Sequence, residues 1–249
     1  MLRSDGRPKT NLTYSKVQIM KNLVTALIFT FATTVWVGDF EDGFAASEAG
    51  DYKTAFSFYK KAAEQGEPAA QFNVGLYYDV GKGVAQDDAE AVRWYKLAAA
   101  QGYSSAQYNL GAIYANRKGV LQDDAEAVRW YTLAATQGYS NAQLNLGFMF
   151  ANGKGVAQDY AEAVRWYKLA AVRGNADAQF NLSQNYATGK GVLQDDLQAH
   201  MWMNLAAVSG DKGAQKARDV IAEQMTIQQI AKAQAMAKKC LVSKYKDCD

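Results

Sequence analysis

Apolar residues recur along this chain at the spacing of one face of an α-helix. The first clear set comprises Ala70, Val74, Gly75 and Tyr78, which fall on one side of a helix of about 3.6 residues per turn. Steps of 36 residues lead to Ala106, Leu110, Gly111 and Tyr114, then to Ala142, Leu146, Gly147 and Phe150, and then to Ala178, Leu182, Ser183 and Tyr186. A fixed period of this length indicates an array of helical repeats that pack on their neighbours.

A second helix is predicted in each unit, starting at an acidic residue. Asp87 and Glu90 have the spacing of a capping box, in which each side chain bonds a free amide at the helix start. The spacing returns at Asp123/Glu126, Asp159/Glu162 and Asp195/Gln198. The buried face is expected to hold Ala91, Tyr95, Ala98 and Ala99, flanked by Trp94. Gly102 then ends the helix, as glycine commonly does just past the last turn.

Glycines recur both within the first helix and in the loop that follows it. A glycine inside a helix costs about 1 kcal/mol relative to alanine, so Gly75, Gly111 and Gly147 predict a neighbouring helix that comes too close for a side chain. The loop glycines are Gly83, Gly119, Gly155 and Gly191. They are expected to need a positive φ or to lack room for a side chain.

The fold class that follows is all-α, a solenoid of about five helix pairs with C-terminal capping helices. Full copies are predicted at 67–102, 103–138, 139–174 and 175–210, and a shorter copy at 39–66 has only Ala49-Gly50 between its helices. The predicted domains are thus 1–38, 39–210 and 211–249. In the last of these, Lys212–Gln224 and Thr226–Cys240 read as two final helices, with a capping box at Thr226 and Gln229.

The first 38 residues have a different composition. Residues 22–38 carry no charge and follow Lys21, which is the pattern of an export signal across about 20–38. Because bulky Trp36 makes a poor cleavage site, an uncleaved inner-membrane anchor is an alternative, and a buried helix of the fold is another. Either Met1 or Met20 could be the natural start. If the chain is exported, we expect it to be periplasmic or secreted.

Charge excludes one class of partner. The chain has 27 basic and 25 acidic residues, of which five and one precede Asp39, so residues 39–249 carry 22 and 24. No basic stripe is evident, and a nucleic-acid partner is therefore not expected.

The residues that could carry chemistry have structural interpretations. The only histidine, His200, stands where other copies have Val92, Val128 and Val164, and we expect a substituted position on a partly exposed helix. Asp87-Asp88 and its equivalents sit at helix starts, where the dipole favours negative charge. No Cys or second His gives metal-ligand spacing. We predict no catalytic residue, metal or cofactor.

Polar and variable positions of the first helix are candidates for binding. Gln71 and Asn73 recur in every copy, either as a ladder along a groove or, as we favour, as amides that tie loops to helix ends. Two positions vary and lie four residues apart. They are Phe72, Tyr108, Leu144 and Phe180 at the first and Leu76, Ala112, Phe148 and Gln184 at the second. If exposed, they form an apolar strip suited to a peptide; otherwise they fill gaps between repeats.

The assembled motifs resemble the repeat of the Sel1-like family, one of the tetratricopeptide-type α/α solenoids. They are Ala-Gln-x-Asn-Leu-Gly-x-x-Tyr at 106–114, Ala-x-x-Trp-Tyr-x-x-Ala-Ala-x-x-Gly at 127–138 and Gly-Lys-Gly-Val at 153–156. The resemblance spans about 39–240 and implies a right-handed superhelix whose concave surface serves as an adaptor, often exported in bacteria. The spacing of Cys240 and Cys248 is similar to that of cysteine-rich secreted members, which implies a disulfide; export would favour it and a cytosolic location would leave both thiols reduced.

The predicted function is a non-catalytic scaffold of the bacterial cell envelope that binds another protein or peptide on its concave helices. Contact with a membrane is expected only through an uncleaved N-terminal segment. One alternative is an envelope hydrolase or penicillin-binding, β-lactamase-like activity, as attributed to cysteine-rich relatives; the single histidine opposes it. A cytoplasmic chaperone-like adaptor is a further alternative.

Overall fold

The computed structural model describes residues 38–116 and 120–248, except the side chain of Ser209. Residues 1–37, which hold all but the last residue of the predicted signal or anchor at about 20–38, and the loop residue Gly119 lie outside the described residues. The regular structure of the described part is helical throughout, and successive helices pack on each other. This confirms the predicted all-α solenoid.

The helices form five pairs and a C-terminal cap. The pairs are α1 (38–48) with α2 (Tyr52–Glu64), α3 (Pro68–Val80) with α4 (Asp88–Ala100), α5 (Ser104–Asn116) with α6 (Asp124–Thr136), α7 (Ser140–Asn152) with α8 (Tyr160–Ala171), and α9 (Ala176–Thr188) with α10 (Asp196–Ala206). A short 3-10 turn, Ala207–Ser209, precedes α11 (Lys212–Ala222) and α12 (Ile227–Val242). Both of the last helices pack on α10.

The hydrophobic core lies between repeats. One cluster joins Tyr95 of α4 to Leu110 of α5 and to Trp130 of α6, and the same arrangement recurs at Tyr131, Leu146 and Trp166. The tryptophan of each unit therefore packs on the core of the preceding unit. Trp94 was expected to flank the buried face, but it is itself buried, at 4% exposure. Each repeat thus depends on its neighbour for stability.

The mid-helix glycines mark the closest approach of the two helices of a pair. A Cβ at Gly75 would lie 2.7 Å from the ring of Tyr95, and one at Gly111 would lie 2.6 Å from Tyr131. The prediction that a neighbouring helix excludes a side chain here is confirmed. In the last full copy Ser183 replaces the glycine, Met203 replaces the tyrosine, and the serine hydroxyl donates to the carbonyl of Ala199.

The predicted capping boxes of the second helices are half right. The Asp87 carboxylate accepts from the amides of Ala89 and Glu90, both at 3.0 Å. The reciprocal bond is absent, because the Asp87 amide donates to the carbonyl of Tyr78 at 3.0 Å. Glu90 instead accepts from Arg93 and from the indole of Trp94. The same backbone bond recurs from Asp123, Asp159 and Asp195. At Thr226 and Gln229 both halves of the box are present.

The recurrent glutamines join consecutive repeats through backbone carbonyls. Gln71 donates to the carbonyl of Ala63 at 3.2 Å, and Gln107, Gln143 and Gln179 make the equivalent bonds at 3.1, 3.0 and 3.1 Å. The favoured interpretation, that these amides tie helix ends, is confirmed for the glutamines. In two copies a second glutamine satisfies the amide oxygen of the first. Gln101 donates to the Oε1 atom of Gln71 at 2.9 Å, and Gln137 donates to that of Gln107 at 2.7 Å.

Substituting Arg173 by Gln is expected to stabilise the protein by about 1 kcal/mol, the net value of a buried hydrogen bond. Arg173 stands where Gln101 and Gln137 stand in the other copies, and the Oε1 atom of buried Gln143 has no partner. A glutamine at 173 would supply the donor. Urea unfolding should show the gain in the single variant and lose it when Gln143→Met is added; an equal gain in both backgrounds would contradict the explanation.

His200 occupies a fully buried position, contrary to the partly exposed helix expected from the repeat. It is 1% exposed, because α12, which lies outside the 36-residue register, packs on α10 together with α11. Its Nδ1 atom has no hydrogen-bond partner. Burial lowers the pKa of His200 below its ordinary 6.5, the charge of Arg218 lowers it further, and the charge of Asp219 offsets part of this effect.

Acid should therefore loosen the C-terminal cap. The unfolded chain protonates His200 below about pH 6.5, whereas the folded chain keeps it neutral to lower pH, so the unfolded state binds more protons and stability falls as pH falls through this range. We expect the loss of unfolding free energy between about pH 7.5 and about pH 5.5 to be smaller in His200→Val, the residue of the other copies. Identical losses in both proteins would contradict this role.

The C-terminal tail is held against the last repeat. The structure has a disulfide between Cys240 and Cys248, and Cys240 is fully buried. Both cysteines lie in the core cluster that contains Trp202 of α10 and Ala237 of α12. The bond closes a short segment, so it anchors the tail to the cap and leaves the preceding repeats unconstrained.

Candidate partner-binding groove

One groove opens on the side formed by the first helix of each pair. It has a volume of about 800 Å³ and lies between α7, α9 and α11. We call it the C-terminal groove. Its lining is Phe148, Ala151, Asn152, Tyr160, Tyr167, Asn181, Gln184, Asn185, Ala187, Thr188, Lys190, Met203, Gly213, Lys216, Ala217, Val220 and Ile221.

One face of α9 forms the polar floor of this groove. Asn181, Gln184, Asn185 and Thr188 follow the helical spacing of three and four residues. The helix is held at both ends: the Asn175 side chain accepts from the amide of Ala178, and Gly189 ends it in a left-handed conformation. Asn185 donates to the carbonyl of Lys190 at 2.7 Å, which fixes the loop that carries this lysine.

Apolar side chains form the two walls. Phe148 on α7 is 45% exposed and Val220 on α11 is 51% exposed. Met203 of α10 lies deeper and is buried, at the position where other copies have a tyrosine. Tyr167 contributes its phenol, and burial raises the pKa of Tyr167 to about 12, so this group is a neutral hydrogen-bonding partner at physiological pH.

The charges of the C-terminal groove are of one sign. Lys190 and Lys216 are exposed lining residues, and none of the described lining residues is an aspartate or a glutamate. Lys154 lies at the margin, with its Nζ atom 5.2 Å from the ring centroid of Phe148. Lys190 has its Nζ atom 5.5 Å from the ring centroid of Tyr160. Aromatic faces thus support the stems and heads of two of the three lysines.

A second groove, the N-terminal groove, lies between α1 and α3 and measures about 510 Å³. Phe44 and Val80 are its most exposed apolar residues, at 56% and 55%. Lys82 is the one charged residue among its described lining. Its surface is therefore more apolar and less charged than that of the C-terminal groove.

The first of the two predicted binding positions lies mostly in packing between repeats. The ring centroid of Phe72 lies 5.7 Å from that of Tyr95 and 5.2 Å from that of Tyr103. Tyr108 makes the equivalent contacts with Tyr131 and Tyr139. Leu144 and Phe180 are likewise half-buried against core clusters. The alternative interpretation, gap filling, matches these contacts.

The second predicted position opens to the groove side. Leu76 lines the N-terminal groove, and Phe148 and Gln184 line the C-terminal groove. Ala112, in the middle of the array, is half-buried. Partner contact at all eight positions stays a prediction.

Other groove residues were not part of the partner-binding strip predicted from the sequence. Asn181 belongs to the recurrent Asn73 series, whose members Asn109 and Asn145 bond the hydroxyl groups of Tyr95 and Tyr131. Because this asparagine recurs in every copy, the interpretation favoured from the sequence was a tie between loops and helix ends, with a polar ladder along a groove as the alternative. Lys216 and Val220 lie on α11, 36 residues after Phe180 and Gln184, so they continue the two variable positions beyond the last full copy. The positions three and seven residues after Asn73 lie on the same face of the helix. This spacing is the sequence signal that could have identified the groove-lining face.

Ser57 and Lys60 have the Ser-x-x-Lys spacing found in some serine hydrolases. They lie in the middle of α2 and line a shallow third groove of about 480 Å³. An acyl-transfer site also needs amide donors aimed at the developing oxyanion, and amides in the middle of a helix are bonded within it. The spacing therefore does not assemble a catalytic arrangement here.

Two features are absent from the described part of the chain. It contains no cluster of three or more His, Cys, Asp or Glu side chains placed to hold a metal ion. Of its helices, none has both the length and the apolar character needed to span a bilayer.

Solved structures and curated proteins resemble this chain to different extents. A protective antigen present in uropathogenic Escherichia coli strains, displaying an SLR fold, has a TM-score of 0.73 and 32% identity, over 91% of this chain and 49% of that one. A Sel1 repeat protein from Oxalobacter formigenes has a TM-score of 0.70 and 34% identity, over 82% and 88%. DAP3-binding cell death enhancer 1 from Rattus norvegicus is 35% identical over 78 residues, which cover 31% of this chain and 13% of the relative. The chain thus spans a small fraction of that curated relative.

The family comparison locates the repeats. The Sel1 repeat model matches residues 40–67, 68–103, 104–139, 140–175 and 176–211, one residue later than the copies predicted from the period. Sel1 repeat proteins generally act as protein-interaction scaffolds and are typically non-catalytic. With matches over most of its length, the chain belongs to the Sel1 repeat family.

Proposed function

We propose that this protein is a non-catalytic scaffold of the bacterial cell envelope that binds a protein or peptide in the grooves along its first helices. The observation that carries the proposal is the C-terminal groove of about 800 Å³, in which residues that differ between copies, such as Phe148 and Gln184, are exposed. The residues that recur unchanged serve caps, core and inter-repeat bonds. Partner specificity resides where the copies differ.

The envelope location rests on three supporting observations. Residues 20–38 have the composition of an export signal or an uncleaved anchor. The Cys240–Cys248 disulfide is a bond that persists in oxidising compartments. The similar protein from uropathogenic Escherichia coli is described as a protective antigen, a property that suits a protein reached from outside the cell.

Partner binding is tested by affinity capture from the envelope fraction with the full chain. Phe148→Glu should reduce recovery of a specific partner at least about tenfold, since a charge would be buried at the contact. Leu133→Glu is the matched control, because Leu133 is similarly exposed, at 41%, but lies on the second helix of its pair. Equal recovery with both variants, or equal loss, would overturn the groove as the binding surface.

Export is tested separately by mass spectrometry of the mature N-terminus and by fractionation. A cleaved chain in the periplasm, or an intact chain in the inner membrane, agrees with the proposal. An intact chain recovered only from the cytoplasm, with both thiols reduced, would contradict the envelope location.

A further inference from the structure

The chemistry of the C-terminal groove narrows the class of partner. Its described lining offers two lysines and no carboxylate, and a third lysine, Lys154, lies over the exposed ring of Phe148. An anionic partner would meet attraction along the whole groove and no like-charge repulsion from its lining. A cationic partner would be repelled by the lysines and would find no carboxylate in the described lining to pair with.

The C-terminal groove combines two apolar walls with a polar floor. The apolar walls of Phe148 and Val220 stand on either side of the α9 face that carries Asn181 and Gln184. Amide side chains can bond the backbone of an extended segment, while alternate side chains of that segment enter the apolar walls. A small anion would satisfy the lysines and leave both walls exposed to water.

We propose that the C-terminal groove binds an acidic, partly apolar peptide segment of another protein, with its carboxylates at Lys190 and Lys216 and its apolar side chains between Phe148 and Val220. This deepens the proposed scaffold function and rests on it. The N-terminal groove, where Lys82 is the one charge among the described lining, has no such preference.

The test measures fluorescence anisotropy of a labelled peptide of repeated Glu-Glu-Leu triplets added to the purified full chain. A peptide of Gln-Gln-Leu triplets has the same length and apolar content without the charge. We expect the glutamate peptide to bind at least about tenfold more tightly at low salt and the difference to shrink as salt screens the charges. Equal affinities for the two peptides would overturn the proposal.

Two charge-matched double variants locate the site. Lys190→Gln/Lys216→Gln should weaken the glutamate peptide about tenfold, as the loss of two partly screened ion pairs predicts. Lys232→Gln/Lys238→Gln removes the same charge from exposed positions of α12 and should leave binding unchanged. Equal weakening by both would show non-specific attraction and overturn the proposal. Phe148→Ala should also weaken binding, whereas a purely electrostatic site would be indifferent to it.

Two further outcomes separate this proposal from others. Sedimentation velocity that shows self-association lost in Lys190→Gln/Lys216→Gln would mean that a second copy occupies the groove, which overturns the acidic-peptide assignment. If the peptide assay fails while Phe148→Glu still abolishes partner capture, the scaffold function stands and only the acidic chemistry falls. Circular dichroism of each variant checks that it is folded.

Discussion

Replacing Gly155 by Ala should destabilise the solenoid by about 2–5 kcal/mol, adding a left-handed backbone cost to an overpacking cost. Gly155 has φ +66, and a Cβ there would overlap the main-chain carbonyl of Asp124 and lie 2.6 Å from the amide of Ala125. These atoms belong to the first turn of α6, in the preceding repeat. Since a main-chain carbonyl in a helix cannot move aside cheaply, the whole inter-repeat contact must shift.

Gly153→Ala is the control, because it lies in the same loop with nearly the same backbone conformation. Its φ is +64, but its Cβ would meet the Cβ of Gln158 at 3.3 Å, a contact that a small adjustment relieves. We expect a loss of about 1–2 kcal/mol from the backbone term alone. Urea unfolding followed by circular dichroism would compare the two, and equal losses would contradict the close approach to α6.

Replacing Trp166 by Ala should cost about 3–5 kcal/mol, the usual range for a buried tryptophan. Trp166 is 6% exposed and packs on Tyr131, Leu146 and Met149, which belong to α6 and α7. The substitution also removes the aromatic face on which the Arg165 guanidinium stacks at 4.7 Å. Because each repeat contacts mainly its neighbours, a weakened interface should split the single unfolding transition into two.

Trp166→Phe separates packing from the indole N–H. The Nε1 atom of Trp166 is buried without a hydrogen-bond partner, so its loss carries no penalty, and most of the aromatic contact is kept. We expect at most about 1.5 kcal/mol of destabilisation and one transition, as for a conservative core substitution. Hydrogen exchange would locate the break: protection should fall first on the α8 side of the interface in Trp166→Ala. A uniform loss across all helices would contradict the inter-repeat role.

Features that depend on one repeat and its copy could be predicted from the sequence. The helix pairs, the close approach at Gly75 and the end of each second helix at a glycine follow from spacing, because the same local contacts recur every 36 residues. The second half of the Asp87 capping box could not be predicted. Its amide is taken by the Tyr78 carbonyl of α3, a bond that depends on the path of the loop.

Features outside the period were beyond sequence reasoning. His200 looked partly exposed because its counterparts are on α4, α6 and α8, whereas α11 and α12 cover it on α10. The C-terminal groove owes one wall to α11, which keeps the 36-residue register at Ala214-Gln215 but carries Lys216 and Val220 at the two variable positions. Phe72 and Leu76 lie one turn apart on the same face of α3, yet Phe72 contacts rings between repeats and Leu76 lines the N-terminal groove. The spacing defines the face, but how far the next repeat covers it depends on the packing of the repeats.

Site-specific photo-crosslinking in living cells tests the central claim, that the groove along the first helices binds a protein partner. A photoreactive phenylalanine derivative would replace Phe148 in the groove and, in a second strain, Leu133 on a second helix, two residues of similar exposure. The account predicts a discrete crosslinked species from position 148 that is lost with Lys190→Gln/Lys216→Gln and is absent from position 133. Crosslinks of equal yield from both positions, or from position 133 alone, would contradict it.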